Sequence, residues 1–203
     1  MPNKNILERI LTAGYTYAEY SRKNSEEIEK TNHDELSESD KELFEYKKLN
    51  LQRTQRIEKS YRVSEELKSE IESIKEKQLW MVITEAWCGD SAQNLPYIAG
   101  AASLNGNIEL RIMLRDSNPD IMDLYLTNGT RSIPKLVAFD KEGNELFAWG
   151  PRPKAAQLLM NQWKSEGIVK PELYEKLHLW YGRNRGRDIE AELIEILASV
   201  EQD

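Results

Sequence analysis

The 203-residue sequence predicts a three-layer α/β/α fold, a small mixed sheet with helices on its faces and additional helices at both ends. Three observations predict it. A compact run of strand formers, Leu79-Trp80-Met81-Val82-Ile83-Thr84, follows a long stretch of helical and polar texture. From that run onward the hydrophobic period switches in the order β-α-β-α-β-β-α. The last two strand candidates, Lys135–Phe139 and Glu145–Trp149, flank Asp140-Lys141-Glu142-Gly143-Asn144, which reads as an antiparallel hairpin connection.

Before the first strand the apolar residues recur at helical spacing. Ile6, Leu7, Ile10, Leu11, Gly14, Tyr15 and Ala18 predict a helix over about 5–22. Arg22 to Asp40 is polar and reads as a loop. Ser39 with Glu42 has capping-box spacing for a second helix, whose apolar face would be Leu43, Phe44, Tyr46, Leu49 and Leu51. A third helix runs from Ser64 through Leu67, Ile71 and Ile74 to about Gln78. Residues 1–78 thus form a helical N-terminal extension, to be packed on the following domain or on a partner.

The central domain covers 79–166. Cys88 to Leu104 suits a helix that Pro96 would kink unless it opens a turn. Ile108–Leu114 is a second strand, and Asp116–Leu126 a short helix with Pro119 near its start. Pro153 to Lys164 returns to helical spacing through Ala156, Leu159, Met160 and Trp163. Residues 167–203 form a C-terminal helical extension: a helix through Leu173, Leu177 and Trp180, a loop or hinge over Gly182–Arg187, and a final amphipathic helix from Ile189 to Val200.

Composition narrows the function. Acidic residues number 35 against 28 basic, a net charge of -7, which favours solubility and offers no concentrated basic surface for nucleic acid. No run is long enough to span a bilayer, and Glu8 and Arg9 interrupt the apolar start, so no membrane or secretory role is expected. One cysteine forbids an intramolecular disulfide and fits a cytoplasmic setting. His33 and His178 are far apart in sequence, so no zinc site is expected, and neither a P-loop nor a dinucleotide fingerprint occurs. Asp116, Asp120 and Asp123 read as exposed or capping acids. Arg183, Arg185 and Arg187 read as a solvated cluster.

The element order and three local motifs resemble the thioredoxin superfamily. Trp87-Cys88-Gly89 follows the first core strand, Ser132-Ile133-Pro134 precedes the third, and Gly150 follows the fourth. The segments Tyr125–Pro134 and Trp149-Gly150-Pro151-Arg152 resemble, more narrowly, a thioredoxin-like branch of Gram-positive bacteria. The resemblance implies a cis proline at Pro134, and a peptide-binding surface made by Trp87, Ile133, Pro134 and Gly150. It also implies a redox cysteine at Cys88. The motif is defective, because Ser91 stands where a second cysteine would resolve a mixed disulfide. Val82 stands where such proteins often carry a buried aspartate, and Glu85 could substitute only by pointing inward.

Physical chemistry supplies expectations for the site. A thiol at a helix N-terminus gains from the helix dipole and free backbone N–H groups, while Asp90 opposes thiolate formation unless it caps the helix or turns to solvent. Ser91 could donate a hydrogen bond to the sulfur. Cys88 is therefore expected to be partly accessible, with a pKa of about 6–8. Arg115 and Arg131 are candidate charge contacts near it. Two functions follow. One is a monothiol protein that forms mixed disulfides with a disulfide-containing protein or a small thiol, glutathione being a candidate cosubstrate and resolving thiol. The other is a noncatalytic protein-interaction module on a degenerate fold. A homodimer built on the amphipathic helices is a third option.

Overall fold

A computed structural model describes residues 4–200. The helix expected over 5–22 is two helices, α1 (Lys4–Ala13) and α2 (Tyr17–Lys30). Between them Thr16 and Glu19 form a capping box that restarts the chain in a new direction. Gly14 sits at the break, where a Cβ would collide with the Ile10 carbonyl. Much of the expected loop at 22–40 is therefore helical, continuing α2 to Lys30. A 3-10 turn over His33–Glu35 leads to α3 (Glu38–Ser60). Its cap is Ser37, which accepts from the Asp40 N–H, rather than Ser39. The apolar face assigned to this helix is partly wrong. Leu43, Tyr46 and Leu49 are exposed, and Phe44, Asn50 and Ile57 are buried.

Helix α4 (Glu65–Ser73), capped by Ser64, stops short of Gln78, which already belongs to β1 (Gln78–Thr84). Then come α5 (Gly89–Ala102), β2 (Ile108–Leu114), α6 (Pro119–Met122), β3 (Lys135–Phe139), β4 (Glu145–Trp149) and α7 (Lys154–Ser165). Only four residues of the 116–126 segment are helical. At the C-terminal side, α8 (Lys170–Asn184) runs through the first half of the expected hinge, and Arg185 and Gly186, both at positive φ, turn the chain into α9 (Arg187–Val200). Gly186 packs so tightly on Tyr97 that a Cβ would overlap the ring.

The strands align in the order β2-β1-β3-β4, with β1 and β2 parallel and the other pairs antiparallel. Central strand β1 is buried on both sides. Its alternation sends Trp80 and Val82 to one face, Leu79, Met81 and Ile83 to the other. The second face is covered by α1 and α6 through Ile10, Ile121 and Met122. Tyr15, in the α1–α2 linker, adds a two-bond bridge to Ile112 of β2. The first face carries α5, with Leu95 and Ile98, and beside it α9, with Ile189, Leu193 and Leu197. Helix α4 joins the same core through Leu67 and Ile71, and α2 and α3 through Tyr20 and Ile57.

Helix α7 does not take the place on the sheet that its sequence position suggests. Its buried residues, Ala156 and Met160, pack with Leu173, Leu177 and Tyr181 of α8 in a separate cluster containing no strand residue. Glu192 of α9 ties the junction down, accepting from the Trp149 indole and from the Lys154 N–H, each at 2.6 Å. Helix α5 runs uninterrupted through Pro96. The proline removes an N–H, and the Ala92 carbonyl freed by it accepts from Thr54 of α3 at 3.5 Å.

Helix α9 is thus required for the sheet, whereas an outward residue of α7 is not. Leu193→Ala, at a side chain with 0% exposure, is expected to cost about 2–5 kcal/mol. Leu158→Ala, at 70% exposure, should change stability by less than about 0.5 kcal/mol. Urea denaturation of the two variants checks this, and equal effects would overturn the assignment of α9 to the core.

Candidate functional site

The site lies where β1 ends and α5 begins. Cys88 is the N-cap of α5, in extended conformation and with no side-chain capping bond. The Ile133–Pro134 peptide is cis, and Ile133 faces Cys88 across the end of the sheet. Gly150, at φ +114°, completes the group, since a Cβ there would collide with the Pro134 carbonyl. Trp87, half-buried, packs against the same cluster as Cys88 and Ile133. The fold therefore brings Trp87, Cys88, Ile133, Pro134 and Gly150 together.

What it does with the thiol differs from expectation. Cys88 is only 9% exposed, and its Sγ–H donates to the Ile133 carbonyl at 3.3 Å. That carbonyl is one of the groups expected to meet an extended peptide. The thiol pKa is raised rather than lowered. Burial contributes most and the negative Asp90 next, while the Ser91 hydroxyl and the N–H groups of Ser91 and Asp90 pull in the opposite direction without prevailing. The expectation of an accessible, acidic thiol is corrected accordingly: desolvation outweighs the helix end.

Asp90 neither caps nor reaches solvent. It is buried, and its two carboxylate oxygens are engaged separately. Arg152, in the β4–α7 connection, donates to Oδ2 at 2.5 Å. The Tyr181 hydroxyl of α8 donates to Oδ1 at 2.6 Å. Asn94 completes the set by donating both to the Asp90 carbonyl (2.8 Å) and to the Tyr181 hydroxyl (3.0 Å). Burial and the Asp90 charge together push the Tyr181 hydroxyl pKa far up, so it remains a donor at any ordinary pH. Ser91 is buried beside this set.

Two further helices close over the motif. From α3, Asn50 donates to the Ala86 carbonyl at 3.0 Å and accepts from Arg53 at 2.9 Å. From α8, His178 packs on Gly89 so closely that a Cβ there would lie 2.8 Å from its ring. Burial and the neighbouring Arg53 hold the His178 imidazole down to about 4, so it is neutral near pH 7. A small cavity of about 30 Å³ lies between α2, α3 and α5, lined in part by Tyr20, Asn24, Asn50, Glu85 and Ser91. It has room for a water molecule or two and none for a peptide or glutathione.

The candidate charge contacts fall elsewhere. Arg131 is exposed and pairs with Asp123 through two bonds of 2.6 and 2.7 Å. Arg115 pairs with Asp116, stacks over the Trp87 ring at 4.6 Å and donates to the Arg131 carbonyl at 3.4 Å, so it borders the site without reaching the sulfur. Glu85 accepts from the Asp116 N–H at 2.8 Å. Asp120 pairs with Arg9. The charge that pairs with Asp90 of the motif is Arg152. Sequence reasoning placed it in a recognisable segment and gave it no role. Tyr181 was also missed: its spacing of four from Leu177 marks it as an inward residue, beside Trp180, which packs at the edge of the same cluster. His178, set aside because it lies far from His33 in sequence, is against the motif.

Together, the fold and site define a protein of the thioredoxin class with a single thiol in the motif. The family model described as Thioredoxin matches residues 37–164, more than half of the chain, and the chain belongs to that family. An HIV epitope-scaffold crystal structure matches with a TM-score of 0.59 and 19% identity, covering 95% of this chain and 97% of the other. A protein of unknown function from Pseudomonas aeruginosa matches with a TM-score of 0.56 and 20% identity, over 91% and 98%. The shared fold thus takes in the flanking helices. No curated protein matches the chain.

The buried imidazole predicts an acid-sensitive fold. His178 binds a proton at about pH 6.5 when unfolded but only near pH 4 when folded. Between these values the unfolded state holds more protons, so stability rises with pH across that window and is lost as pH falls through it. His178→Asn should show a shallower fall in denaturation midpoint between pH 6.5 and 4 than wild type. Superimposable profiles would remove His178 as the cause. The thiol supplies a second test. Iodoacetamide labelling of folded protein should have a pH midpoint above the ordinary value of about 8.5, and a midpoint below it would restore the acidic-thiol expectation.

Proposed function

We propose that this is a noncatalytic interaction module built on a degenerate thioredoxin fold, with Cys88 retained as a buried residue of the site. The observation that carries this reading is the closure of the motif. The sulfur is spent on the Ile133 carbonyl, the first turn of α5 is roofed by His178 and Tyr181, and no second cysteine exists to resolve an adduct. Support for a binding role comes from the outer face of α3, where Leu43, Tyr46 and Leu49 stand exposed at helical spacing. A protein partner, or a second copy of this chain, would cover such a face. No described helix is long and apolar enough to cross a membrane, and a cytoplasmic setting is the one proposed. The Tyr125–Pro134 and Trp149–Arg152 segments support membership of the Gram-positive thioredoxin-like branch.

A second reading has its own observation: Trp87, Cys88, cis Pro134 and Gly150 retain the arrangement of a thiol site. In that reading Cys88 thiolate attacks a disulfide, forms a mixed disulfide and expels one thiolate. An external thiol such as glutathione then attacks the adduct and restores Cys88. Enzymatic turnover separates the two. With oxidised glutathione and disulfide peptides, the folded wild-type protein is expected to show no turnover above the uncatalysed rate, and Cys88→Ser is expected to match it. Saturable turnover that disappears in Cys88→Ser would overturn the noncatalytic reading.

A further inference from the structure

We propose that α8 is an autoinhibitory cover over the start of α5, latched by the Asp90–Arg152–Tyr181 cluster, and that its local release governs access to Cys88. The proposal goes beyond the noncatalytic reading and holds whether or not the exposed thiol turns over. Its basis is a division in how the helices are attached. Helices α5 and α9 are held to the sheet by apolar burial. Helix α8 buries its apolar residues, Leu173 and Leu177, against α7, in a cluster with no strand residue. Moving α7 and α8 together therefore leaves most of that burial intact.

The contacts joining α8 to the motif are few and of another kind. Tyr181 alone reaches Asp90 and Asn94 by hydrogen bonds. His178 lies on Gly89, and its Nδ1 is buried without a hydrogen-bond partner, so it covers the motif by packing alone. Release costs the Tyr181 bonds, yet water recovers part of that cost, because Asp90 and Arg152 are charges that burial had desolvated. The chain at one end of α8 is suited to pivoting. Arg185 and Gly186 break helix regularity in the left-handed region, and Gly186 is anchored against Tyr97 of α5. The released state uncovers Gly89 and the first turn of α5, beside the Cys88–Ile133 contact.

Hydrogen exchange and thiol labelling test the proposal on the full chain. In wild type, amides of α8 should exchange through a lower-energy opening than those of β1, and Cys88 labelling by iodoacetamide should follow the α8 opening. Tyr181→Phe removes the donor to Asp90 and should raise both α8 exchange and Cys88 labelling about 10-fold or more, with β1 exchange unchanged. Leu193→Ala, which loosens the sheet cover, should raise β1 exchange. Equal protection of α8 and β1 in wild type overturns the proposal even if Tyr181→Phe fails to fold. So does a Tyr181→Phe effect that appears equally in β1. Either failure leaves the noncatalytic reading standing, since that reading falls only to Cys88-dependent turnover.

Discussion

A carboxylate buried two residues after Cys88 sets much of the local architecture. Asp90 lies in the first turn of α5, where the helix dipole favours an anion, but it is buried under other chain segments and needs compensation there. Arg152 supplies charge and the Tyr181 hydroxyl a hydrogen bond, and that hydroxyl in turn accepts from Asn94. Removing one partner would leave a buried charge half satisfied, a costly arrangement. The β4–α7 connection and the end of α8 are therefore both obliged to lie at the motif. The same carboxylate raises the thiol pKa and helps keep Cys88 protonated. Closure of the site and quieting of its sulfur thus share a source.

The sheet explains why so much helix surrounds a small core. Strand β1 is buried on both faces, so both need covering. Helices α1 and α6 cover one face, and α5 with α9 the other. With α9 seated beside α5, α7 is left to pair with α8. Helix α8 then lies across the motif, and α7 packs on α8 instead of on the sheet. The flanking helices consequently shape the site as well as the core: Asn50 and Arg53 come from α3, His178 and Tyr181 from α8.

The legible parts of the site were those carried by short-range pattern. Trp87-Cys88-Gly89 after a strand, Ile133-Pro134 before one and Gly150 after another are local signatures, and the fold collects them at one sheet end. Missed were residues whose meaning depends on a distant partner. Arg131 was weighed for its nearness in sequence to Pro134, yet Asp123 takes it. Arg152 looked no different, and Asp90 takes it. Nothing in the spacing of either arginine distinguishes these outcomes. The restart of the chain at Thr16 was readable, since Thr16 and Glu19 have capping-box spacing, but the apolar stripe running through Gly14 and Tyr15 masked it.

By itself the sequence determined the strands, their order and the class of fold, because period-two burial, turn chemistry and helix caps act over a few residues. It also determined that no resolving cysteine exists, a matter of composition. Only the tertiary structure decided that Cys88 is buried, that Asp90 is paired, and that α9 rather than α7 covers the sheet. Those outcomes depend on which surfaces meet across 40 to 100 residues of chain. Desolvation and ion pairing are properties of such meetings. A thiol at a helix start is acidic or inert according to what is packed over it, and no local pattern encodes that cover.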